Sequence, residues 1–266
     1  MPVLINRSLA TFPIGNIPLD QHDMPEGLCR HPHAWINRSE ALAFLQSGKR
    51  TLVDAIGNPL ASTGAEADLS NTYQASISFL LVHSWDLLKA NEDYVSQLNE
   101  SSLLGEIHSS AVIEGHIHLG KGSRILPGVF IEGNVVIGEN CKIGPNCYLR
   151  GSTSIGDHCH IGQAVEIKNS IILSYSSIGH LSYVGDSIIG HKVNFGAGTI
   201  TSNLRHDGKN HRTQVSDELI DTGRRKFGTI VGDHVHTGIN TSIYPGRKIF
   251  PNCSTRPGEI VQKDIR

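Results

Sequence analysis

Arg150 and Lys168 stand 18 residues apart, each one step after an aliphatic residue, Leu149 and Ile167. If the chain returns to the same place every 18 residues, the two cations lie one above the other, about 4.8 Å apart. Stacked cations repel unless an anion bridges them, so the pair suggests a phosphate or carboxylate site. Glu132 and Glu114 continue the same column, and a solvated charge ladder is the other reading of it. His180 follows Ile178 by two residues in GHLSYVGD, near a corner, although a chain with 15 histidines makes any one of them weak on its own. Asn194-Phe195-Gly196-Ala197-Gly198 is a run of mostly small residues that could admit a ligand close to the backbone, or be one more tight corner. After it come Lys209, Arg212, Arg224, Arg225 and Lys226, a basic stretch interleaved with Asp217, Glu218 and Asp221.

These residues are positioned by a repeat of six. From Ile107 the positions Ile113, Leu119, Ile125, Ile131, Ile137, Ile143, Leu149, Ile155, Ile161 and Ile167 are all Ile or Leu. The position two before each is never charged and never larger than Ile. A period of six fits neither an α-helix nor a plain strand, but it fits short strands joined by tight turns, three hexads to a triangular coil. Gly often follows the aliphatic residue, as at Gly138, Gly144, Gly156 and Gly162, where it would supply the backbone angles of a corner. The reading is a left-handed parallel β-helix of hexapeptide repeats over residues 103–266, mainly β. An all-β sandwich would not hold an unbroken six-residue register. The register slips by one after Ile167 and again before Ile189, disappears over 201–228, and returns at Val231, Thr237, Ile243 and Ile249. The break reads as a projecting loop.

Residues 1–102 carry no hexads and read as a small mixed α/β segment, a cap for the open end of the coil or a remnant. Apolar spacing predicts a helix over 77–98 leading into the first coil, with short strands and loops before it. A net charge of −2 gives no electrostatic case for nucleic acid or membrane. No long apolar run or signal-peptide pattern is present, so a cytoplasmic location is expected. Cys141, Cys147 and Cys159 fall in the small interior column and read as buried free thiols; with Cys29 and Cys253 they offer no metal-ligand spacing.

The stretch VEIKNSIILSYSSIGHLSYVGDSIIGHKVNFGAGTITSN, residues 165–203, closely resembles the acetyltransferase domain of the bifunctional glucosamine-1-phosphate acetyltransferase/uridyltransferases. The segments NLRHDGKNHRT and DTGRRKFGTIVGDHVHTGINTSIYPG are similar to those of the archaeal sugar-1-phosphate nucleotidyltransferase/acetyltransferases. The resemblance runs from about His83 to the end. It implies an acetyl-CoA-dependent N-acetyltransferase acting on an amino-sugar 1-phosphate, with no metal. His180 takes the place of the general base, a role suited to a group that titrates near neutrality. Glu166 matches an acidic residue near that base. Arg150 and Lys168 match the pair that binds the sugar phosphate, while Tyr183 and Asn194 match substrate-binding positions. Asn203, Lys209 and Arg212 match loop positions linked to activity, with Arg212 replacing a Lys. Ala197, Gly238 and Ile239 fall where acetyl-CoA lies along the coils, and backbone N–H groups there could stabilise an oxyanion. The resemblance also implies a homotrimer, with active sites between subunits and the loop serving a neighbour. Residues 1–102 lack the family's Gly-rich nucleotide loop, so no pyrophosphorylase activity is expected. Two other readings remain: a non-catalytic relative that binds CoA or a sugar phosphate, and a trimeric metal enzyme like the γ-class carbonic anhydrases, with His158, His160, His180 and His191 as ligands.

Overall fold

The computed structural model describes residues 11–216 and 218–266. From Ser102 onward, two-to-four-residue strands wind as a left-handed parallel β-helix with three faces. Face 1 has six strands, from Glu106–Ile107 to Asn194–Phe195. Face 2 has eight, from Val112–Glu114 to Ile260–Val261, and face 3 has eight, from Ser102–Leu103 to Lys248–Ile249. Every neighbouring pair in the three faces is parallel, and Ile107 pairs with Ile125 and Ile125 with Ile143, the 18-residue step expected. The expected slips are real. Ile155 pairs with Ile172, and Ile172 with Ile189, both 17 residues on.

The hexad aliphatics form the core. Ile131, Ile143, Leu149, Ile155, Ile161 and Ile167 are completely buried, and Cys141, Cys147 and Cys159 pack among them as free thiols. Burial pushes the Cys147 thiol up to about 12, which leaves it inert as a nucleophile.

Three of the four glycines named after the aliphatic residue work differently from expectation. The left-handed corner residues come three places after the aliphatic, at Asn140, Asn146, His158 and Ala164. Gly144, one place after it, has the positive φ expected, 102°, but Gly138, Gly156 and Gly162 do not. They are needed because coils stack closely: a Cβ on Gly162 would lie 1.9 Å from the Gly179 carbonyl oxygen.

The N-terminal segment has its own core around Phe44, Leu52 and Leu60, under a four-stranded sheet ordered Cys29–Arg30, Pro59–Ser62, Thr51–Val53, Thr72–Gln74. It also contains a helix the sequence reading passed over, α1 (Arg38–Gln46), whose N-cap Asn37 accepts from the Ser39 and Glu40 amides. The helix expected over 77–98 is shorter. α2 spans Asp86–Ser96, and Phe79–Leu80 pairs antiparallel with Ala34–Trp35 instead. Asp86 sets the start of α2, its Oδ2 accepting from the Val82 and His83 amides at 2.9 and 2.6 Å.

Among the described residues, Leu103, Leu104 and Val112 of the first coil remain exposed. The N-terminal segment packs sideways on face 3. Trp85, Leu87 and Leu88 bury the outward side chains Ile171, Ile188 and Ile230. Polar contacts seal the join: Asn91 Nδ2 donates to the Ser152 carbonyl at 2.7 Å, and Asn134 Nδ2 to the Leu98 carbonyl at 2.8 Å. The loop between faces 2 and 3 folds into an antiparallel hairpin, Arg212–Val215 with Glu218–Asp221. Asp217, named among its acidic residues, lies outside the described residues.

Candidate functional site

Arg150 and Lys168 are register partners on face 2, with Glu132 below and Gly185 above. The stacking inferred from spacing is therefore present, but the bridging anions belong to the chain itself. Arg150 reaches Glu132 at 3.4 Å and Glu166 at 3.2 Å, and its hydrogen bond with Glu166 raises its pKa. Lys168 Nζ lies 3.3 Å from Asp186 Oδ2. The two stacked cations thus already have carboxylates in reach, Glu132 and Glu166 for Arg150 and Asp186 for Lys168.

Asp186 is the centre of the arrangement. Its side chain is 3 % exposed and occupies a left-handed corner. One oxygen accepts from Asn169 Nδ2 at 2.9 Å; the other accepts from Asn203 Nδ2 at 2.6 Å and from Lys168. Asn203 Nδ2 also donates to the Tyr183 hydroxyl at 3.0 Å. Gly185 makes that possible, because a Cβ there would lie 2.4 Å from the Tyr183 hydroxyl. Burial, then the Asp186 and Glu166 carboxylates, raise the Tyr183 pKa, so the phenol keeps its proton. As it accepts from Asn203, that proton is free to donate outward.

The network runs on into the N-terminal segment. Asn169 Nδ2 also donates to Glu92 Oε1 of α2 at 2.6 Å, and Glu92 pairs with Arg224 at the far end of the loop. Asn203 at the near end uses its carbonyl to accept from the Phe227 amide at 3.0 Å and meets His211 Nε2 at 3.0 Å. Both ends of the loop are thus tied to one buried carboxylate and one helix. Sequence reading missed Asp186, Asn169 and Glu92. GHLSYVGD ends at Asp186, but nothing in the hexad pattern marks a corner residue as buried.

His180 lies around the corner, at the end of face 1, paired in register with Gln163. Its ring is exposed and makes no hydrogen bond to a described residue. Its carbonyl accepts from the Gly198 amide at 3.1 Å, which places Ala197 on the next coil beside it. The amides around Ala197 are used: Gly196 N–H donates to Thr237, and Gly198 N–H to His180. The Ala197 and Ile239 amides donate to no described residue, whereas that of Gly238 is taken by Thr255. Asn194 is exposed on face 1, one coil above Ser177. Leu181, Ile200 and Ile239 are 64, 42 and 53 % exposed along this corner.

The four histidines weighed as metal ligands divide into two places. His160 and His180 belong to face 1, while His158 and His191 meet Tyr175 at another corner. Among the described residues no three His, Cys, Asp or Glu are grouped to hold a metal. Lys209 and Arg212 line a cleft with Arg205 and Arg247, away from the Asp186 hydrogen bonds.

Comparison with known proteins bears on this geometry. The GMPPB C-terminal domain family matches residues 131–257. A bifunctional sugar-1-phosphate nucleotidylyltransferase/acetyltransferase of Sulfurisphaera tokodaii is 42 % identical over 181 residues, 68 % of this chain and 45 % of that one. The bifunctional protein GlmU of Methanococcus maripaludis strain C7 is 45 % identical over 226 residues, 85 % of this chain and 54 % of that one. The chain spans about half the length of these relatives. A solved UDP-N-acetylglucosamine O-acyltransferase of Moraxella catarrhalis aligns at 13 % identity and a TM-score of 0.36, covering 56 % of this chain and 66 % of that one. The chain is a homologue of the bifunctional GlmU-type sugar-1-phosphate nucleotidylyltransferase/acetyltransferases, aligned with about half of their length.

Proposed function

We propose that the chain is an acetyl-CoA-dependent N-acetyltransferase acting on an amino-sugar 1-phosphate. The observation that carries this reading is the pairing of an exposed His180 with the unengaged Ala197 amide on the next coil, around one corner from Tyr183 and Lys168. The sugar amine attacks the thioester carbonyl carbon, and His180 takes the proton the nitrogen loses. The Ala197 N–H, with Ile239 N–H one coil further, faces the oxygen that gains charge. The carbon–sulfur bond breaks, acetyl stays on nitrogen, and the thiolate leaves as CoA and gains a proton. His180 and Ala197 supply base and donor without a covalent intermediate, so both substrates bind together.

Tyr183, Asn194, Lys168 and Arg150 hold the acceptor in this reading. With Lys168 and Arg150 carrying carboxylate partners, a phosphate there shares those cations rather than meeting free ones. The acyl donor extends along face 1 past Ala197, Gly238 and Ile239. Exposed Leu181, Ile200 and Ile239 form an apolar strip beside the site that a second copy covers in a homotrimer. In such a trimer the loop also borders a neighbour's site. No helix among the described residues is long and apolar enough to cross a membrane, and we place the enzyme in the cytoplasm.

The test is CoA thiol release from acetyl-CoA with a panel of amino-sugar 1-phosphates. Release with glucosamine-1-phosphate or an epimer supports the reading. Binding of acetyl-CoA with no release on any acceptor refutes it and leaves a non-catalytic binding protein.

A further inference from the structure

The hairpin loop and the coil beneath it enclose a cleft of about 700 Å³, the size of a small-ligand site. Its charged lining is Arg205, Lys209, Arg212 and Arg247 against one carboxylate, Asp221. Arg205 is matched outside the cleft by Asp207, at 2.9 and 2.6 Å. Lys209, Arg212 and Arg247 make no ion pair with a described residue. Arg247 Nε is buried with no hydrogen-bond partner among the described residues. Its backbone is fixed to the coil, the carbonyl accepting from the Ile230 amide at 3.1 Å and from Thr229 Oγ1 at 2.7 Å. Four cations gathered around a cavity with fewer carboxylates, Asp221 in the lining and Asp207 beside it, repel one another, and such a group is stabilised by a multiply charged anion. On face 2, by comparison, Arg150 and Lys168 have carboxylates in ion-pair reach, although Arg150 Nε too lacks a hydrogen bond among the described residues.

We propose that this cleft is a phosphate-binding site on the chain's own coil, with Arg247 as its fixed cation and Arg205, Lys209 and Arg212 closing over it from the loop. Arg247 and Arg205 lie outside the positions that the family resemblance names. The ligand class is a phosphate ester or diphosphate. On the acetyltransferase reading above, on which the source of the phosphate rests, it belongs either to the CoA moiety or to the sugar-phosphate acceptor.

Calorimetric titration of the full chain with inorganic pyrophosphate tests the site without any turnover. Binding should weaken as salt rises, and Arg247→Gln should weaken it by about tenfold or more, the loss of a charge-assisted contact. Arg212→Gln should weaken it too, which guards against misfolding of one variant. Arg124→Gln, at a surface cation paired with Glu106, should leave it unchanged. No binding, or equal binding in Arg247→Gln and wild type, overturns the proposal. In steady-state kinetics Arg247→Gln should raise one KM with little change in kcat. A rise for acetyl-CoA assigns the phosphate to the donor, and a rise for the sugar phosphate assigns it to the acceptor. Both KM values unchanged in an active enzyme refutes a substrate role. An enzyme inactive on every acceptor that still binds pyrophosphate through Arg247 refutes the acetyltransferase reading and keeps the site.

Discussion

Replacing Asp186 by Asn keeps the size of the side chain and removes its charge. Three side-chain donors converge on the carboxylate, at 2.6, 2.9 and 3.3 Å. Asn offers one carbonyl oxygen and turns the other position into a donor, so in either orientation at least one of Lys168, Asn169 and Asn203 faces an N–H group. A buried donor left without its acceptor costs about 1–3 kcal/mol. Losing one partner of a buried ion pair costs about 3–5 kcal/mol, and Lys168, one-fifth exposed, stays partly hydrated and falls at the low end. The expected loss is about 3 kcal/mol, read in urea unfolding as a lower midpoint at unchanged slope. Lys168→Met adds a sharper check. Alone it should destabilise, but in the Asp186→Asn background it removes the orphaned cation and should cost little, a coupling of about 1–2 kcal/mol. A loss below about 0.5 kcal/mol for Asp186→Asn, or strict additivity of the two changes, refutes the hub.

Gly185→Ala should put a methyl group between the Tyr183 hydroxyl and Asn203, whose flexible ends can give way. The fold should persist, with a higher KM for the acceptor in steady-state assays and little change in melting temperature. Gly162→Ala meets a backbone carbonyl instead, and its thermal melt should fall sharply. Burial alone would raise the pKa of Glu40, but hydrogen bonds from Ser78 and Ser76 hold it at about 2, against 4.5 in an unstructured chain. A depressed folded pKa contributes stability that is complete above pH 4.5 and lost as pH falls through about 2. Glu40→Gln should therefore lose about 1–3 kcal/mol at neutral pH and lack that acid-sensitive component in chemical denaturation across pH 2–5.

The β-helix was legible because one interaction repeats. Each hexad buries one aliphatic residue, so Ile125 through Ile167 announce both the coil and its 18-residue step. That step placed Arg150 over Lys168 correctly. It could not supply Asp186, which comes after a slip to 17 residues and draws one of its three side-chain donors, Asn203, from the loop rather than from the repeat. The sideways packing of the N-terminal segment did leave a trace. Ile171-Ile172, Ile188-Ile189 and Ile230-Val231 are apolar on both sides of one strand, the mark of a covered face. Helix α1 left one too, in Asn37 followed three residues later by Glu40. Gly138, Gly156 and Gly162 were noticed for the wrong reason, unlike Gly144, since crowding between coils and corner geometry both select Gly and leave the same letter in the sequence.

The central claim is that acetyl transfer takes place at the corner between faces 1 and 2, with His180 as base. The direct measurement is initial-rate kinetics of CoA release, each substrate varied in turn, for wild type and His180→Ala, using the acceptor that wild type acetylates. The account predicts a fall in kcat of about 10²–10⁴-fold with little change in either KM, since His180 moves a proton and its exposed ring has no hydrogen bond to a described residue to lose. Full turnover in His180→Ala would contradict it.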